Sequence, residues 1–486
     1  MVDHKQILGF VIALLMLSTG CEIDQPVLDP SSGYPTDIGA IMETQCAVTG
    51  CHDAVSNGAA AGLNLETWET LFQGSRNNAA IIPYRPDQSF MMFFVNTYEE
   101  LGPSLTPQMP YGTDPLSKSE VLMIENWIEQ GAPNKDGFVK FSDAAERKKI
   151  YILNQGCDLL GVMDKETKLM MRYIDIGASA VTESPHFIHM SEDGLYYYVC
   201  YYTSNVFHKF RSMDDALVGE ADIGFGSWNT FALSADGTTA FVVDLSASGS
   251  VAVVDVETMT MIVKYAGAGL FDWPHGSMVK DANTLYISAQ FGNFLYKIDI
   301  SDIQNPNIEK VVLGTGESPS AASKYDAHEM RYIPDKTEYA VTCQESGEVR
   351  FFDATTDSLL AVVSTGDFPQ EISVSSSTPY LFVTCMEDES TFPGTTGSVA
   401  VIDYTTHTLV KSIYTGHQPH GLEVDDEEKI VYVLNRNATS EGPAPHHVTD
   451  CGGRNGYMTI IDIGLLELTG YKAELSVDPI YMAIRE

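Results

Sequence analysis

From about Ala145 onward, short apolar runs alternate with turn signals, and they do so with a period. One unit recurs: an opening dipeptide, an apolar strand, a turn at Asp-Gly or similar, a Tyr/Phe/Val-rich strand, an Asp-bearing strand and a closing Gly. The openings are Pro185-His186, Trp228-Asn229, Pro274-His275, Ala327-His328, Pro369-Gln370, Pro419-His420 and Pro479-Ile480, spaced 42 to 60 residues apart. Short β-branched and aromatic runs bounded by turns read as strands. A period in the forties with about four strands per unit marks a β-propeller. Only a few residues follow the last opening, so that blade lacks three strands. Lys149–Asn154, Leu159–Lys165 and Leu169–Gly177 match the second, third and fourth strands of a unit. The pattern therefore predicts an all-β, seven-bladed propeller over 145–486. Its last blade is closed by N-terminal strands in 149–177 and a C-terminal strand in 479–486, which leaves no free sheet edge.

Ahead of the repeats the periodicity is helical. Between Ile38 and about Gly137 both ends read as helix, and Glu120–Gln130 places Val121, Ile124, Trp127 and Ile128 on one face. Earlier still, Ile7–Leu17 is an apolar run of 11 residues behind a single basic residue, Lys5. It is too short to span a bilayer and suits a signal h-region, so 1–20 is read as a signal peptide. Leu17-Ser-Thr-Gly-Cys21 resembles the lipobox of bacterial lipoproteins, with Ser18 where an aliphatic residue is commoner. That resemblance implies a lipidated Cys21 and a periplasmic or cell-surface protein held to the membrane by lipid alone. Plain secretion with Cys21 incidental is the other reading. Residues 21–36, rich in Pro, Ser and acid, read as a tether.

Within the predicted mainly α domain, 37–140, stands Cys46-Ala-Val-Thr-Gly-Cys51-His52. Two Cys followed directly by His suit covalent c-type haem: the thiols take the vinyl groups and the imidazole takes the iron. The spacing here is four residues rather than the usual two. A disulfide and a zinc site are the alternatives, and no Cys or His lies between 53 and 150 to complete a zinc site. After the motif come Leu63-Asn-Leu65, Pro86-Asp-Gln-Ser89, Met109-Pro110 and Trp127-Ile-Glu-Gln-Gly-Ala132. In that order they resemble the small cytochrome c domains of planctomycete and Bacteroidetes secreted proteins. The resemblance implies one covalent haem c, with His52 as proximal and Met109 as distal iron ligand. Met91, Met92 and Met123 are rival thioethers.

Charge narrows the partners. Lys and Arg number 28 against 66 Asp and Glu, a formal charge of −38. Such a surface repels phosphate backbones and excludes nucleic-acid binding, while suiting a basic redox partner protein. Hydrophobic residues at 44% exclude a disordered chain.

The seven openings align His186, Asn229, His275, His328, Gln370, His420 and Ile480 at the start of the innermost strand, at the channel mouth. His186, His275, His328 and His420 together could ligate copper, another transition metal or a second haem. His417, His446 and His447 are expected on the same face. The Pro-His-Gly and Val-Val-Asp elements resemble YVTN-type propellers, in which such a His also serves the scaffold. Nitrous oxide reductases hold copper with histidines on a seven-bladed propeller, but their cupredoxin domain and paired-His motifs are not matched. Cytochrome cd nitrite reductases also place a cytochrome c ahead of a propeller, one of eight blades.

Cys200, Cys343 and Cys385 end apolar strands and read as buried small hydrophobes. Cys157 and Cys451 fall in loops of neighbouring blades and suit a disulfide in an oxidising compartment; two free thiols is the alternative. No catalytic residues are identified. Two functions follow. One is an electron-transfer lipoprotein, an oxidoreductase subunit in that case, whose propeller carries a redox or metal site or docks a redox partner. The other is a cell-envelope complex in which the propeller is a binding platform and the haem a tethered carrier.

Overall fold

The computed structural model describes residues 30–445 and 451–486. Cys21, His446 and His447 lie outside them. Among the described residues four α-helices precede the strands: α1 (Thr36–Ile41), α2 (Trp68–Leu71), α3 (Phe90–Val95) and α4 (Lys118–Glu129). Capping decides where α4 begins. The Ser117 side chain accepts from the Glu120 N–H, and the Glu120 carboxylate reaches back to the Ser117 N–H. Its buried face is Val121, Ile124, Trp127 and Ile128, packed with Met42, Trp68 and Leu71 into one small core. Both indoles are anchored by donating to backbone carbonyls, Trp68 to Ala132 and Trp127 to Pro133.

The remainder is a seven-bladed β-propeller of four-stranded antiparallel sheets. Blades one to six run in chain order from strands Pro185–Met190, Trp228–Leu233, Pro274–Asp281, Ala327–Tyr332, Pro369–Val374 and Pro419–Asp425. Blade seven joins the C-terminal strand Pro479–Arg485, innermost, to Lys149–Asn154, Leu159–Asp164 and Met170–Asp175. Middle strands such as Thr239–Asp244 and Leu159–Asp164 are buried along their whole length. Blades stack face to face, so both faces of these strands are covered and the sequence reads as a continuous apolar run rather than an alternation. Cys200, Cys343 and Cys385 are buried at the ends of such strands.

A local irregularity repeats in every blade. The register of the innermost strand slips right after the opening residue. His186, Asn229 and Ile480 drop out of the ladder in blades one, two and seven. In blades three to six the pairs His275-Gly276, His328-Glu329, Gln370-Glu371 and His420-Gly421 drop out. A bulge re-aims side chains that a regular pleat would send to alternate faces. The glycines among them answer to neighbouring backbone: a Cβ on Gly276 would collide with the His328 carbonyl, and one on Gly421 with that of Ile480.

Ring closure is reinforced by buried charge. Lys149 of blade seven meets Asp215 of blade one, both fully buried. On the other side Lys165 bridges Asp425 of blade six and Glu486. Cys157 and Cys451 form a disulfide between blades seven and six, with Cα atoms 5.4 Å apart.

The helical domain packs on the rim of blade seven. Ala79 and Ile82 share a buried cluster with Met170 and Tyr173 of its outermost strand. The Asn78 side chain accepts from the Met170 N–H and donates to the Lys168 carbonyl, and Arg85 donates to the Tyr173 carbonyl and pairs with Asp175. Three of the six residues of this outer strand are accordingly buried, whereas its counterpart in blade three, Asn307–Val312, has no buried residue.

Candidate functional site

In the helical domain, α1 continues through the turn Met42–Cys46 and delivers Cys46 to the core. The loop to Cys51 closes on itself: the Cys51 N–H donates to Val48 and the His52 N–H to Cys46. The Asp53 carboxylate gathers the N–H groups of Gly50, Val55 and Ser56, and the Ser56 bond first among these holds its pKa below the usual range. Cys46, Cys51 and His52 thereby face one largely apolar cavity of about 430 Å³, with Phe90, Phe94 and Ile124 among its walls. Apolar voids of this size are foreign to a close-packed core, whereas bound ligands commonly fill such spaces.

The chemistry of each donor fits haem c. His52 Nδ1–H donates to the Leu63 carbonyl at 3.1 Å, which fixes the ring and leaves Nε2 as its ligand atom. Burial lowers the His52 pKa and keeps the lone pair free. Burial also pushes the Cys46 thiol up to about 12; a thioether carries no charge, so the same burial does not oppose the haem adduct. Met109 lines the cavity on a loop tied to α3 by its N–H donating to Phe94 at 2.8 Å. Of the rival thioethers, Met91 lines the same cavity; Met92 and Met123 do not.

At the propeller axis, His186, His275, His328, Gln370, His420 and Ile480 line a second cavity of about 290 Å³. Ring centroids lie 3.9 Å apart for His275 and His328, 6.2 Å for His328 and His420, and 6.4 Å for His186 and His420. Asn229 is buried beside the ring without lining the cavity. His417 lies at the channel-mouth end of blade six, beside the Pro419–Asn435 pair, where it is bonded to Thr439 of the insertion; it does not line the cavity. The ring is held by a ladder of hydroxyls. Ser288, Thr342 and Thr384, on second strands, each donate at 2.8 Å to the carbonyl of the next blade's ring residue, His328, Gln370 and His420. Burial, and after it neighbouring positive groups, hold His275, His328 and His420 far below the usual imidazole range, and His186 falls to about 4. The imidazoles are neutral at physiological pH.

Beside the ring is a set of buried charges absent from the sequence reading. Glu371 Oε1 lies 3.7 Å from His328 Nδ1. Arg331 donates to Glu329 at 2.6 Å and to the Tyr481 hydroxyl at 2.7 Å. Burial raises the pKa of Glu371 strongly, with Glu329 adding to it, and lifts Glu423 to about 7. A signal existed: Ala327-His-Glu329 and Pro369-Gln-Glu371 carry Glu where Pro274-His-Gly276 and Pro419-His-Gly421 carry Gly. The two cavities share no lining residue.

Fold and site define a protein in which a c-type cytochrome domain precedes a seven-bladed propeller. Residues 49–102 match the family model described as PSCyt1, planctomycete cytochrome C, a family that implies covalent haem c. The match holds Cys51 and His52 and stops short of Met109. No curated protein matches the chain. Among solved structures, a functionally unknown protein from Desulfotomaculum acetoxidans DSM 771 is similar at a TM-score of 0.51 and 13% identity, over 69% of this chain and 98% of that one. A candidate 6-phosphogluconolactonase from Bacteroides uniformis ATCC 8492 is similar at 0.52 and 13%, over 70% and 100%. Hydrazine synthase of Kuenenia stuttgartiensis matches at 0.45 and 20%, over 60% and 82%. The first two share the fold.

Proposed function

We propose that this protein is an extracytoplasmic, lipid-anchored c-type cytochrome that passes single electrons to or from a basic partner protein. The observation that carries the reading is the apolar cavity lined at once by Cys46, Cys51, His52 and Met109. Haem c, when bound, supplies a one-electron ferric/ferrous couple, and a thioether opposite histidine raises its potential. The chain's own residues do the rest. Cys46 and Cys51 would hold the macrocycle, the Leu63 carbonyl orients His52, and apolar side chains such as Phe90, Phe94 and Ile124 would pack against it. The charge of −38 favours a basic partner and makes association sensitive to salt. The channel mouth is the propeller's functional end in this reading, for metal binding or for docking.

Expression with c-type maturation tests it. Intact mass should show one covalent haem, lost in the Cys46→Ala/Cys51→Ala variant; a haem-free wild-type chain overturns the reading. The anchor is tested separately. Mature protein should begin at an acylated Cys21, and an unmodified Cys21 or cleavage elsewhere refutes it.

A further inference from the structure

We propose that the channel mouth holds one divalent transition-metal ion between His328, His420 and Glu371. The inference rests on reading this mouth as the propeller's functional end and is independent of the haem. All three side chains are buried, and one ligand atom from each lies within 4.8 Å of the others. Two atoms bound to one ion at about 2.1 Å can be at most ~4.2 Å apart, so small rotations close the set. The His328–Glu371 pair, at 3.7 Å, already meets that limit.

Each donor is prepared for the role. His420 directs Nδ1 to the Ile480 carbonyl at 3.1 Å, which leaves Nε2 as its free nitrogen. A carbonyl behind an imidazole is the usual support of a metal-bound histidine. His328 Nδ1 and Glu371 Oε1 face each other, both buried, at 3.7 Å, too far apart for a direct hydrogen bond and close enough for one ion to bridge. His275 packs against His328 with centroids 3.9 Å apart and the rings tilted by 39°.

The bulge explains why the trio meets. In a regular ladder Gln370 and Glu371 would point to opposite faces; here both leave the pairing, so Glu371 can turn toward the neighbouring blade's His328. Two imidazoles and one carboxylate suit ferrous iron or zinc, and the cavity beside them leaves coordination positions open for a small ligand.

The test uses the haem-loaded full chain, stripped with chelator and titrated with Zn2+. One tightly held equivalent is expected, with zinc-edge X-ray absorption reporting two imidazoles. Glu371→Gln and His420→Gln should each weaken it by more than the ~10–100-fold that loss of a supporting residue costs. His407→Ala removes a histidine away from the channel mouth, one bonded to Glu338, and should leave affinity unchanged. Haem absorbance and the thermal melt, measured on every variant, certify the fold. Zinc retained equally by wild type and the Glu371→Gln/His420→Gln double variant overturns the proposal, as does absence of a tight equivalent in wild type. A chain with normal haem and no zinc site would leave the cytochrome reading intact.

Discussion

His52 and Leu63 are tied across the mouth of the haem cavity: Nδ1–H donates to the carbonyl at 3.1 Å, so the opposite ring nitrogen is the one left for iron. With His52 as the proposed proximal ligand, the cavity wall offers two thioethers for the distal role, Met91 and Met109. Met109 is held on a loop, while Met91 belongs to α3. Met109→Ala is expected to keep the covalent haem, abolish the oxidised-state sulfur-to-iron band and lower the potential. Met91→Ala should keep the band. The opposite result transfers the ligand role to Met91.

The seam between blades seven and one depends on Lys149. Its ammonium lies 3.1 Å from each Asp215 oxygen, in full burial, and Tyr151 adds a bond at 2.9 Å. Asp215→Ala leaves a buried lysine without its carboxylate and should cost about 3–5 kcal/mol. Lys149→Met/Asp215→Leu should recover most of that loss. Thermal and denaturant unfolding check both.

One source of acid sensitivity lies where blades five and six meet. Burial alone would raise the Asp426 pKa, but the hydroxyls of Ser375, Ser376 and Ser377 and the Ser376 N–H bring it down to about 2. An unfolded Asp titrates near about 3.9. The folded value is depressed, so this tie contributes fully above about pH 4 and is lost as pH falls through about 2. Asp426→Asn should destabilise by about 1–2 kcal/mol at neutral pH and flatten the pH dependence of the melt between those limits. An unchanged acid profile contradicts the assignment.

The Cys157–Cys451 bridge fastens the blade-six insertion to blade seven. Denatured, non-reduced protein should leave both thiols unlabelled. Cys451→Ser should lower stability by about 2–4 kcal/mol. Free labelling of both residues without reductant excludes the bridge.

Much of the architecture was legible because it is written locally and repeatedly. Each opening dipeptide marks an innermost strand, and the three orphan strands near 149–177 complete blade seven because the C-terminal strand alone cannot make a four-stranded blade. The cytochrome motif was readable for a similar reason: Cys46, Cys51 and His52 are neighbours in sequence, so their chemistry shows in the spacing. Even α4 announced its buried face through a 3.6-residue period.

Glu371 and the docking of the two domains were not readable. Glu371 follows Gln370, and a two-residue alternation would send it away from the axis. The bulge that turns it toward His328 is a backbone event with no residue type of its own. Its other partner, His420, comes one blade later, and only the curvature of the ring brings the three blades to one point. Asn78 and Arg85 likewise look like ordinary loop residues until blade seven presents the Met170 N–H and the Tyr173 carbonyl to them. The sequence by itself determined the repeat, the haem-binding motif and the identity of the ring residues, since these depend on short-range pattern. Tertiary structure alone decided which buried carboxylate faces the histidines and where the cytochrome domain sits, because both depend on distances closed by the whole ring.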